Sequence, residues 1–416
     1  MDANQIRVHL RKSAAEIFDH ALSAVDPREA VKRAPIDLRS GPIYSIAIGK
    51  AAHLMARGLE DALGDKLTAP VLIANGGHPL PDENSLASAQ AAFALLDRAN
   101  TEQATVVFLV SGGGSAMIEW PRSDNISLAD LRAANKTLIS CGAHIAEVNA
   151  VRRAFSAVKG GALARRAQNA KTFTLIVSDT NSGDEANVAS GPTLNPPADA
   201  PKAIDVVEHY HLESVLPESI MKAVRRSITT VSVNGSHFVI LDNQTALKAA
   251  YLKAHSLVTL NRMATNICEQ EIQQGCDLLL ETLMFRPRDT TLCVVSGGEF
   301  SCPVRGDGRG GRNLETVLRC AIALDNERDK GPHFVVLSAG SDGIDGNSPA
   351  AGAIADETTV ERARNLGLDA AEYLARSDSY TFFEHLNDLI VTGPTGTNVR
   401  DLRILLRAGK AFAGSE

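Results

Sequence analysis

Short apolar runs, rich in β-branched residues, recur along the whole chain and limit the folds open to it. They occupy residues 43–48, 70–74, 105–110, 173–178, 238–241, 291–296, 334–338 and 389–391. Because they are continuous and do not alternate with polar residues, they are typical of strands buried on both faces. Helical patterns separate them at 50–63, 83–98, 128–147 and 312–324. This succession of strands and helices predicts an α/β protein with mainly parallel sheets.

The apolar runs fall into two groups, separated by residues 243–283. That stretch contains many alanines, leucines and charged residues but no strand-like run, so it predicts helices. We therefore expect an N-terminal α/β domain over residues 1–240, a helical connection over 241–285 and a smaller C-terminal α/β domain over 286–416. A chain of 416 residues is long enough for two such domains, each with its own core.

Composition narrows the classes of partner. Lys and Arg number 42 against 49 Asp and Glu, a net charge of −7, and aromatic residues make up 4% of the chain. This balance does not favour binding to a nucleic-acid backbone or an anionic membrane, and it supplies few aromatics for stacking bases. We expect small-molecule partners, with no nucleic acid and no membrane, and a homodimer is left open.

The cysteines and the N-terminus indicate where the protein resides. Six cysteines occur, none in a C-x-x-C pair and most within apolar runs, as expected for reduced and buried thiols. Residues 1–22 have an amphipathic helical pattern with charges throughout instead of the apolar core of a signal peptide. We therefore expect a cytoplasmic protein.

Glycine-rich or acidic turns follow nearly every predicted strand. They are Gly49-Lys50, 111–115 (SGGGS), 179–184 (DTNSGD), 297–299 (GGE), 340–346 (GSDGIDG) and 392–398 (TGPTGTN). In open α/β sheets ligands bind beyond the carboxyl ends of the strands, so we expect these turns to converge on one rim. Glycine lets backbone amides approach an anion without an intervening side chain. Six such turns, mixed with hydroxyl and charged residues, indicate a phosphorylated ligand.

Two nucleotide-binding motifs were compared with the sequence. The P-loop pattern fails at Gly49-Lys50, because Tyr44 stands where glycine is required and Ala51 follows the lysine. The dinucleotide pattern G-x-G-x-x-G matches residues 306–311, but a short alternating segment precedes it where a buried strand is expected. An NAD(P)H-dependent reductase therefore remains the weaker alternative.

Eight ordered motifs then suggest a family. They are 77–82 (GHPLPD), 111–116 (SGGGSA), 149–153 (NAVRR) with 159–161 (KGG), 189–193 (ASGPT), 296–299 (SGGE), 310–315 (GGRNLE), 342–346 (DGIDG) and 392–398 (TGPTGTN). Together, over about residues 10–408, they resemble the glycerate 2-kinase family. These are the class II, MOFRL-type glycerate kinases, whose members are often labelled hydroxypyruvate reductase.

The resemblance implies phosphorylation of D-glycerate to 2-phosphoglycerate by ATP, with a divalent metal such as Mg²⁺. It also implies a Rossmann-like N-terminal domain and a MOFRL-type C-terminal domain around an interdomain cleft. The family's proposed catalytic pair falls on Lys50 and Arg312. Both follow glycines on polar turns, so we expect neither to hold the fold. Competing hypotheses are a hydroxypyruvate reductase and a nucleotide-binding regulatory protein without catalysis.

The remaining candidates take their roles from charge and position. His78, Arg152 and Lys159 are candidates for substrate binding. Asp179, Asp184 and Asp342 are candidate Mg²⁺ ligands because hard cations prefer carboxylate oxygen. Asp342 and Asp345 are alternative candidates for a metal ligand or a general base. The candidates for nucleotide or phosphate binding are Gly112, Gly113, Gly114, Ser115, Ser190, Gly191, Gly297, Gly298, Glu299, Asn313, Thr395, Gly396, Thr397 and Asn398.

Overall fold

The computed structural model describes residues 1–38, 41–226, 233, 235–258, 260–285, 290–327 and 332–409. The chain forms two compact units. Pro27–Leu241 make the first, here called the inserted unit, and Met1–Asp26 with Asp242–Glu416 make the second, the split unit. The N-terminal helix therefore belongs with the C-terminal half of the chain.

The inserted unit is built on a five-stranded, wholly parallel sheet in the order β2-β1-β3-β4-β5. Its strands are β1 Ile43–Ile48, β2 Leu72–Ile73, β3 Thr105–Ser111, β4 Lys171–Val177 and β5 Ser236–Leu241. Its helices are α2 Pro27–Lys32, α3 Ala52–Leu63, α4 Glu83–Thr101, α5 Leu128–Ser140, α6 Ile145–Phe155, α7 Ala162–Arg166, α8 Ala203–His209 and α9 Glu218–Val224. Because all strands run the same way, the turns after β1, β3 and β4 meet at one edge.

The split unit is built on a six-stranded mixed sheet in the order β10-β9-β8-β11-β7-β6. Its strands are β6 Leu260–Met263, β7 Leu292–Gly298, β8 Phe334–Gly340, β9 Gly352–Asp356, β10 Leu389–Ile390 and β11 Asp401–Arg407. Its helices are α1 Ala3–Ala24, α10 Asn243–His255, α11 Ile272–Met284, α12 Arg312–Asp325, α13 Thr359–Asn365, α14 Ala370–Ala375 and α15 Ser379–Leu386.

The predicted α/β class is confirmed, but the expectation of mainly parallel sheets holds only for the inserted unit. In the split unit β11 runs antiparallel to both β7 and β8, β9 runs antiparallel to β8 and β10, and only β6 pairs in parallel, with β7. The link from β8 to β9 contains no helix, and a parallel neighbour would need a longer crossover. A short connection therefore turns the chain back on itself.

The predicted division at 241–285 also differs from the structure. That segment supplies α10, the edge strand β6 and α11 to the split unit, so it is part of a domain. Strand β6 was missed because it has no apolar run. Its residues, LNRM, are alternately exposed and half-buried, and the strand lies at the edge of the sheet. The helix predicted over 128–147 is two helices, α5 and α6, separated near Gly142, whose φ is +82°.

Helix α1 is fixed to the split unit by a buried stripe and by one arginine. Leu10, Ala14, Ile17 and Phe18 are all at most 1% exposed, at the spacing of one helix face. Arg11 donates to Asp356 at 2.7 Å and also contacts Asp388. These contacts tie the first helix to elements more than 300 residues away in sequence. None of the helices in the described part of the chain has the length and apolar character that a bilayer crossing requires.

Candidate active site

The glycine turn at 112–114 lies at the end of β3, the strand adjacent to β1. Lys50 follows β1, and its backbone N–H donates to the Gly112 carbonyl at 2.9 Å. Gly113 has a φ of +77°, and a Cβ built there would lie 2.9 Å from Lys50 Cγ. Glycine is therefore required at 113 both by the backbone conformation and by the lysine side chain that runs across it.

Asp179 approaches the same turn from the opposite side, because it follows β4, the other neighbour of β3. A Cβ built on Gly112 would lie 1.7 Å from Asp179 Oδ2, so the carboxylate occupies the space that a side chain would need. The turn is thus flanked by an ammonium on one side and a carboxylate on the other. This arrangement suits a phosphate, which needs the cation, and a divalent metal ion, which needs the carboxylate.

A polar network of Ser115, Ser190 and Asn149 adjoins this glycine turn. Ser115 Oγ lies 2.9 Å from Ser190 Oγ, and Ser190 Oγ donates to Asn149 Oδ1 at 2.7 Å. Ala189 and Ser190 both have positive φ, +49° and +62°, a conformation that costs free energy in residues other than glycine. The hydroxyl of Ser190 is therefore committed to the protein, and its contribution to the site is to hold Ser115.

Arg152 adds to the positive field around Lys50, and both charges act on His78. Partial burial lowers the pKa of His78, and the positive charges of Lys50 and Arg152 lower it further. The imidazole is therefore neutral at pH 7. Arg152 is 6% exposed and its Nε donates to Asn135 Oδ1 at 2.9 Å, which fixes the guanidinium. The charges of Lys50 and Arg152 thus act on His78, while the roles of His78 and Arg152 in substrate binding stay predictions.

Lys159 differs from its predicted role. Its Nζ is paired with Glu119, and both side chains are at most 1% exposed. Ser156 Oγ donates to the other oxygen of the same carboxylate at 2.5 Å. The charge of Lys159 is therefore neutralised inside the protein, and this pair explains the residue as part of the core instead of as a substrate contact.

Two of the three predicted metal ligands belong to the inserted unit, and the third belongs to the split unit. Asp179 is half-buried beside the glycine turn, whereas Asp184 is exposed before the 3₁₀ turn Glu185–Ser190. Asp342 belongs to the split unit, where its Oδ1 accepts from the N–H of Ile344 at 3.2 Å. Among the described residues no group of three His, Cys, Asp or Glu side chains is arranged to hold a metal ion. Asp179 is the candidate whose position fits a metal that accompanies phosphates, since Mg²⁺ takes only one or two protein carboxylates there.

Arg312 begins α12 in the split unit and forms a two-pronged ion pair with Asp401. Nε lies 2.6 Å from Asp401 Oδ2, and Nη2 lies 3.1 Å from Oδ1. Nη2 also lies 2.7 Å from Glu299 Oε1. Burial alone would lower the pKa of Arg312, but the charges of Asp401 and Glu299 raise it above its usual range. The guanidinium fork of Arg312, formed by its Nε and Nη2 groups, is thus held by Asp401. Asp401 lies at the start of β11, beside the ends of both β7 and β8.

The start of α12 is held by a second buried acid, Asp345. Its carboxylate accepts from the N–H groups of Asn313 and Leu314 at 3.1 and 2.8 Å. Burial raises the pKa of Asp345 to about 7, in spite of these hydrogen bonds. Asn313 donates to Asp401 at 2.9 Å and accepts from Ser338 at 2.6 Å. Asp345 and Asn313 therefore position Arg312, and Asp345 is not exposed to take a proton from a substrate.

The remaining candidates of the split unit lie on two turns, one at the end of β7 and one before β11. Gly298 donates its N–H to Asn243 at 3.0 Å, and a Cβ on Gly297 would lie 2.0 Å from the same oxygen. Thr395 Oγ1 donates to the Ser341 carbonyl at 2.6 Å. The rest of that turn is held locally: Thr397 N–H donates to Thr395 Oγ1 at 3.3 Å, Gly396 has a φ of +74°, and Asn398 Oδ1 accepts from the N–H of Arg400.

The G-x-G-x-x-G segment at 306–311 does not form a dinucleotide site. The N–H of Gly308 donates to the Arg376 carbonyl at 3.1 Å, and that of Gly310 donates to Asn347 at 2.8 Å. A Cβ on Gly306 or Gly308 would lie within 2.7 Å of the loop at Arg376 and Asp378. The amides and the space that a pyrophosphate would use are therefore taken by the protein itself.

The predicted residues thus come from both units. Lys50, His78, 112–115, Arg152, Asp179, Ser190 and Gly191 belong to the inserted unit, and 297–299, Arg312, Asn313, Asp342 and 395–398 belong to the split unit. Sequence reasoning missed Asp401 and Glu119. The sequence contains a signal for Asp401, because this acid lies only three residues after the motif 392–398. It contains none for the pairing of Glu119 with Lys159.

Comparison with known proteins identifies the family. A model described as the MOFRL family matches residues 292–401, and one described as a domain of unknown function (DUF4147) matches residues 13–225. The chain is 34% identical to a D-glycerate 2-kinase of Thermotoga maritima over 95% of its own length and 98% of the relative's. A protein of Agrobacterium vitis with the provisional name hydroxypyruvate reductase is also 34% identical, over 96% and 95% of the two chains.

A solved structure agrees with the sequence comparisons. The crystal structure of a glycerate kinase from Thermotoga maritima superimposes with a TM-score of 0.81 at 33% identity, covering 95% of this chain and 99% of that one. The family models together span both units, and the similarity extends over nearly the whole of each relative. The chain belongs to the glycerate 2-kinase family.

Proposed function

We propose that the protein transfers the γ-phosphoryl group of ATP to the 2-hydroxyl of D-glycerate, giving 2-phosphoglycerate and ADP. The observation that carries this proposal is the glycine turn at 112–114, flanked by Lys50 and Asp179 at the ends of parallel strands. The names of the relatives support the same reaction. The reductase alternative rests on a name and on a glycine motif whose amides are already bonded.

In the proposed mechanism the substrate hydroxyl attacks the γ-phosphorus, the bond to the β,γ-bridging oxygen breaks, and the hydroxyl proton leaves. The protein contributes mainly position and charge, because the transition state is loose and its charge is spread over phosphate oxygens. Lys50 places an ammonium at the glycine turn. His78, which is neutral at pH 7, is the nearby group able to accept the proton.

Arg312 is the proposed contribution of the split unit to the same transfer. Asp401 holds two of its nitrogens, whereas the contact with Glu299 joins two side chains that are each 35% exposed. The Glu299 contact is therefore the one that an anionic substrate would displace, and Asp401 would keep the fork aimed during the exchange.

A magnesium ion would be held by Asp179 together with the phosphates of ATP. When bound, Mg²⁺ neutralises charge on the transferring group. Asp184 is exposed in the inserted unit, and Asp342 belongs to the split unit. The cytoplasmic location predicted from the cysteines and the N-terminus belongs to this proposal, since ATP is abundant there.

The test is a coupled assay on the purified full-length protein with ATP, Mg²⁺ and D-glycerate. ADP should form, and the product should be the 2-phospho isomer, identified by its direct conversion by enolase. Lys50→Ala should lose roughly 10²–10³ in kcat, as when one preorganised electrostatic contact is removed. Lys66→Ala, an exposed lysine of the same unit, is the matched control and should keep normal turnover.

Two results would contradict the proposal. Oxidation of NADH with hydroxypyruvate, without ADP formation from glycerate, would indicate a reductase. Binding of ATP without turnover on any short hydroxy acid would indicate a regulatory protein. A double-mutant cycle adds information on mechanism: if Lys50 and Arg312 act on one phosphoryl group, their losses in kcat should not be additive.

A further inference from the structure

A basic cavity of about 820 Å³ lies in the inserted unit, and none of its described lining residues belongs to the glycine turn. It is bounded by one face of α6, by residues 195–204 and by the end of α9. Seven described basic residues line it. Lys159 is neutralised by Glu119, which leaves six: Arg122, Arg153, Arg165, Lys202, Arg225 and Arg226. No Asp or Glu is among the described lining residues. This concentration of charge contrasts with a chain whose net charge is −7.

Arg153 is the strongest indication that the cavity can bind an anion. The residue is 8% exposed, and its buried Nη1 has no hydrogen-bond partner in the described part of the chain. Burial lowers the pKa of Arg153 to about 10, so the guanidinium is still charged at pH 7. A buried charge without a counter-charge is costly, and an anion in the cavity would remove that cost.

Two further arginines are fixed in place by neutral groups. Arg165 donates to the Gly160 carbonyl at 2.7 Å and to Asn195 at 2.9 Å. Arg122 donates to the Ser156 carbonyl at 2.8 Å. Because carbonyl and amide oxygens hold these guanidinium groups, their positions are set while their charges stay uncompensated. Preorganised donors of this kind bind anions at a low entropic cost.

The number of charges decides the class of ligand. The single carboxylate of glycerate would neutralise one of six cations, and inorganic phosphate is small for a cavity of about 820 Å³. Guanidinium forks match phosphate oxygens in pairs. We propose that this cavity binds an anion carrying several phosphate groups, at a site distinct from the glycine turn. Its source is either a nucleotide bound in addition to the ATP at the glycine turn, in which case the inference rests on the proposed function, or a second phosphorylated metabolite.

The test measures binding of inorganic tripolyphosphate by titration calorimetry in a Lys50→Ala background, which weakens binding at the glycine turn. Arg153→Met should weaken binding about tenfold or more, because a buried charged donor is lost. Arg226→Ser, at an exposed position, should weaken it about two- to fivefold without affecting the fold. Arg132→Ser, an exposed arginine of α5 outside the cavity, is the matched control and should leave the Kd unchanged.

A second arm identifies the source of the phosphates. With Lys50 intact, a rise in KM for ATP that parallels the loss of tripolyphosphate binding would assign the cavity to the nucleotide. An unchanged KM beside weakened tripolyphosphate binding would assign it to a separate metabolite. The site itself is rejected if tripolyphosphate does not bind at millimolar concentration, or if Arg153→Met and Arg226→Ser both bind it as tightly as the control. Calorimetry needs no turnover, so absence of kinase activity would leave this result interpretable.

Discussion

Replacing Arg312 by alanine should reduce both stability and turnover, and the structure allows the two losses to be separated. The side chain of Asp401 is 1% exposed and that of Arg312 is 35% exposed. Removing one partner of a fully buried ion pair costs about 3–5 kcal/mol because the other charge stays buried. Water can reach the position of Arg312, and Asn313 still donates to Asp401, so we expect about 2 kcal/mol. A unit of this size loses roughly 2–4 °C per kcal/mol, which gives a fall of about 4–8 °C in Tm.

The assay is thermal unfolding beside kcat for three variants. Arg312→Ala should melt at the lower temperature. Adding Asp401→Asn should recover part of the loss, because the buried carboxylate charge is gone but Arg403, 3.8 Å away, also loses its ion-pair partner. Neither variant should regain turnover. Arg312→Lys keeps the charge but lacks the fork, so it should recover little activity. The reasoning is refuted if the double variant melts as low as Arg312→Ala, or if Arg312→Ala keeps both its Tm and its kcat. The sequence alone predicted only that Arg312 does not hold the fold, with melting within a few degrees of wild type.

Three further changes test other parts of the site. Gly113→Ala and Gly183→Ala both place a side chain at positive φ, which costs about 1–2 kcal/mol each, so their melting curves should be similar. Only the new methyl group at residue 113 would contact the proposed catalytic lysine, so kcat should fall for Gly113→Ala alone. Lys159→Met should lower the free energy of unfolding by about 3–5 kcal/mol, and Glu119→Gln in the same chain should restore most of it; normal stability of the single variant would argue against the buried pair. Because the pKa of Asp345 is raised to about 7, from about 3.9 when unfolded, its contribution to stability falls as pH rises from about 4 to 7. The Tm of wild type relative to Asp345→Asn should therefore be higher at pH 5 than at pH 8, and a difference independent of pH would contradict this.

Strands with uniform apolar sequence could be predicted, and strands carrying charge could not. The run at 43–48 is β1 to the residue, and the run at 105–110 is β3 short of one residue. By contrast β11 reads DLRILLR and was missed, although it lies at the centre of the second sheet. Its Arg403 is buried by stacking 3.5 Å over the ring of Phe300 and by donating to the Gly297 carbonyl. Those partners come from other strands and loops, so local sequence gives no sign of them.

The site shows the same division between local and distant information. The turns at Lys50, Gly113 and Arg312 were predicted because glycine and charge are read directly from the chain. What holds them was not, since Asp401 contacts Arg312 across 89 residues and Glu119 contacts Lys159 across 40. Distinguishing a lysine that faces a ligand from one neutralised in the core needs the partner, which only the fold supplies.

The placement of helix α1 in the split unit has a consequence for how the chain is made. During synthesis α1 emerges before the inserted unit, whereas β11, one of the elements that α1 packs against, emerges after it. At about 5–20 residues per second, the ribosome needs on the order of 20–80 s to supply β11 after α1. In that interval the inserted unit can fold around its own parallel sheet, while the apolar face of α1 stays exposed to solvent. Expressing residues 286–409 alone would remove α1 and leave its binding surface exposed, so a fragment that folds independently should join Met1–Asp26 to Asp242 onward.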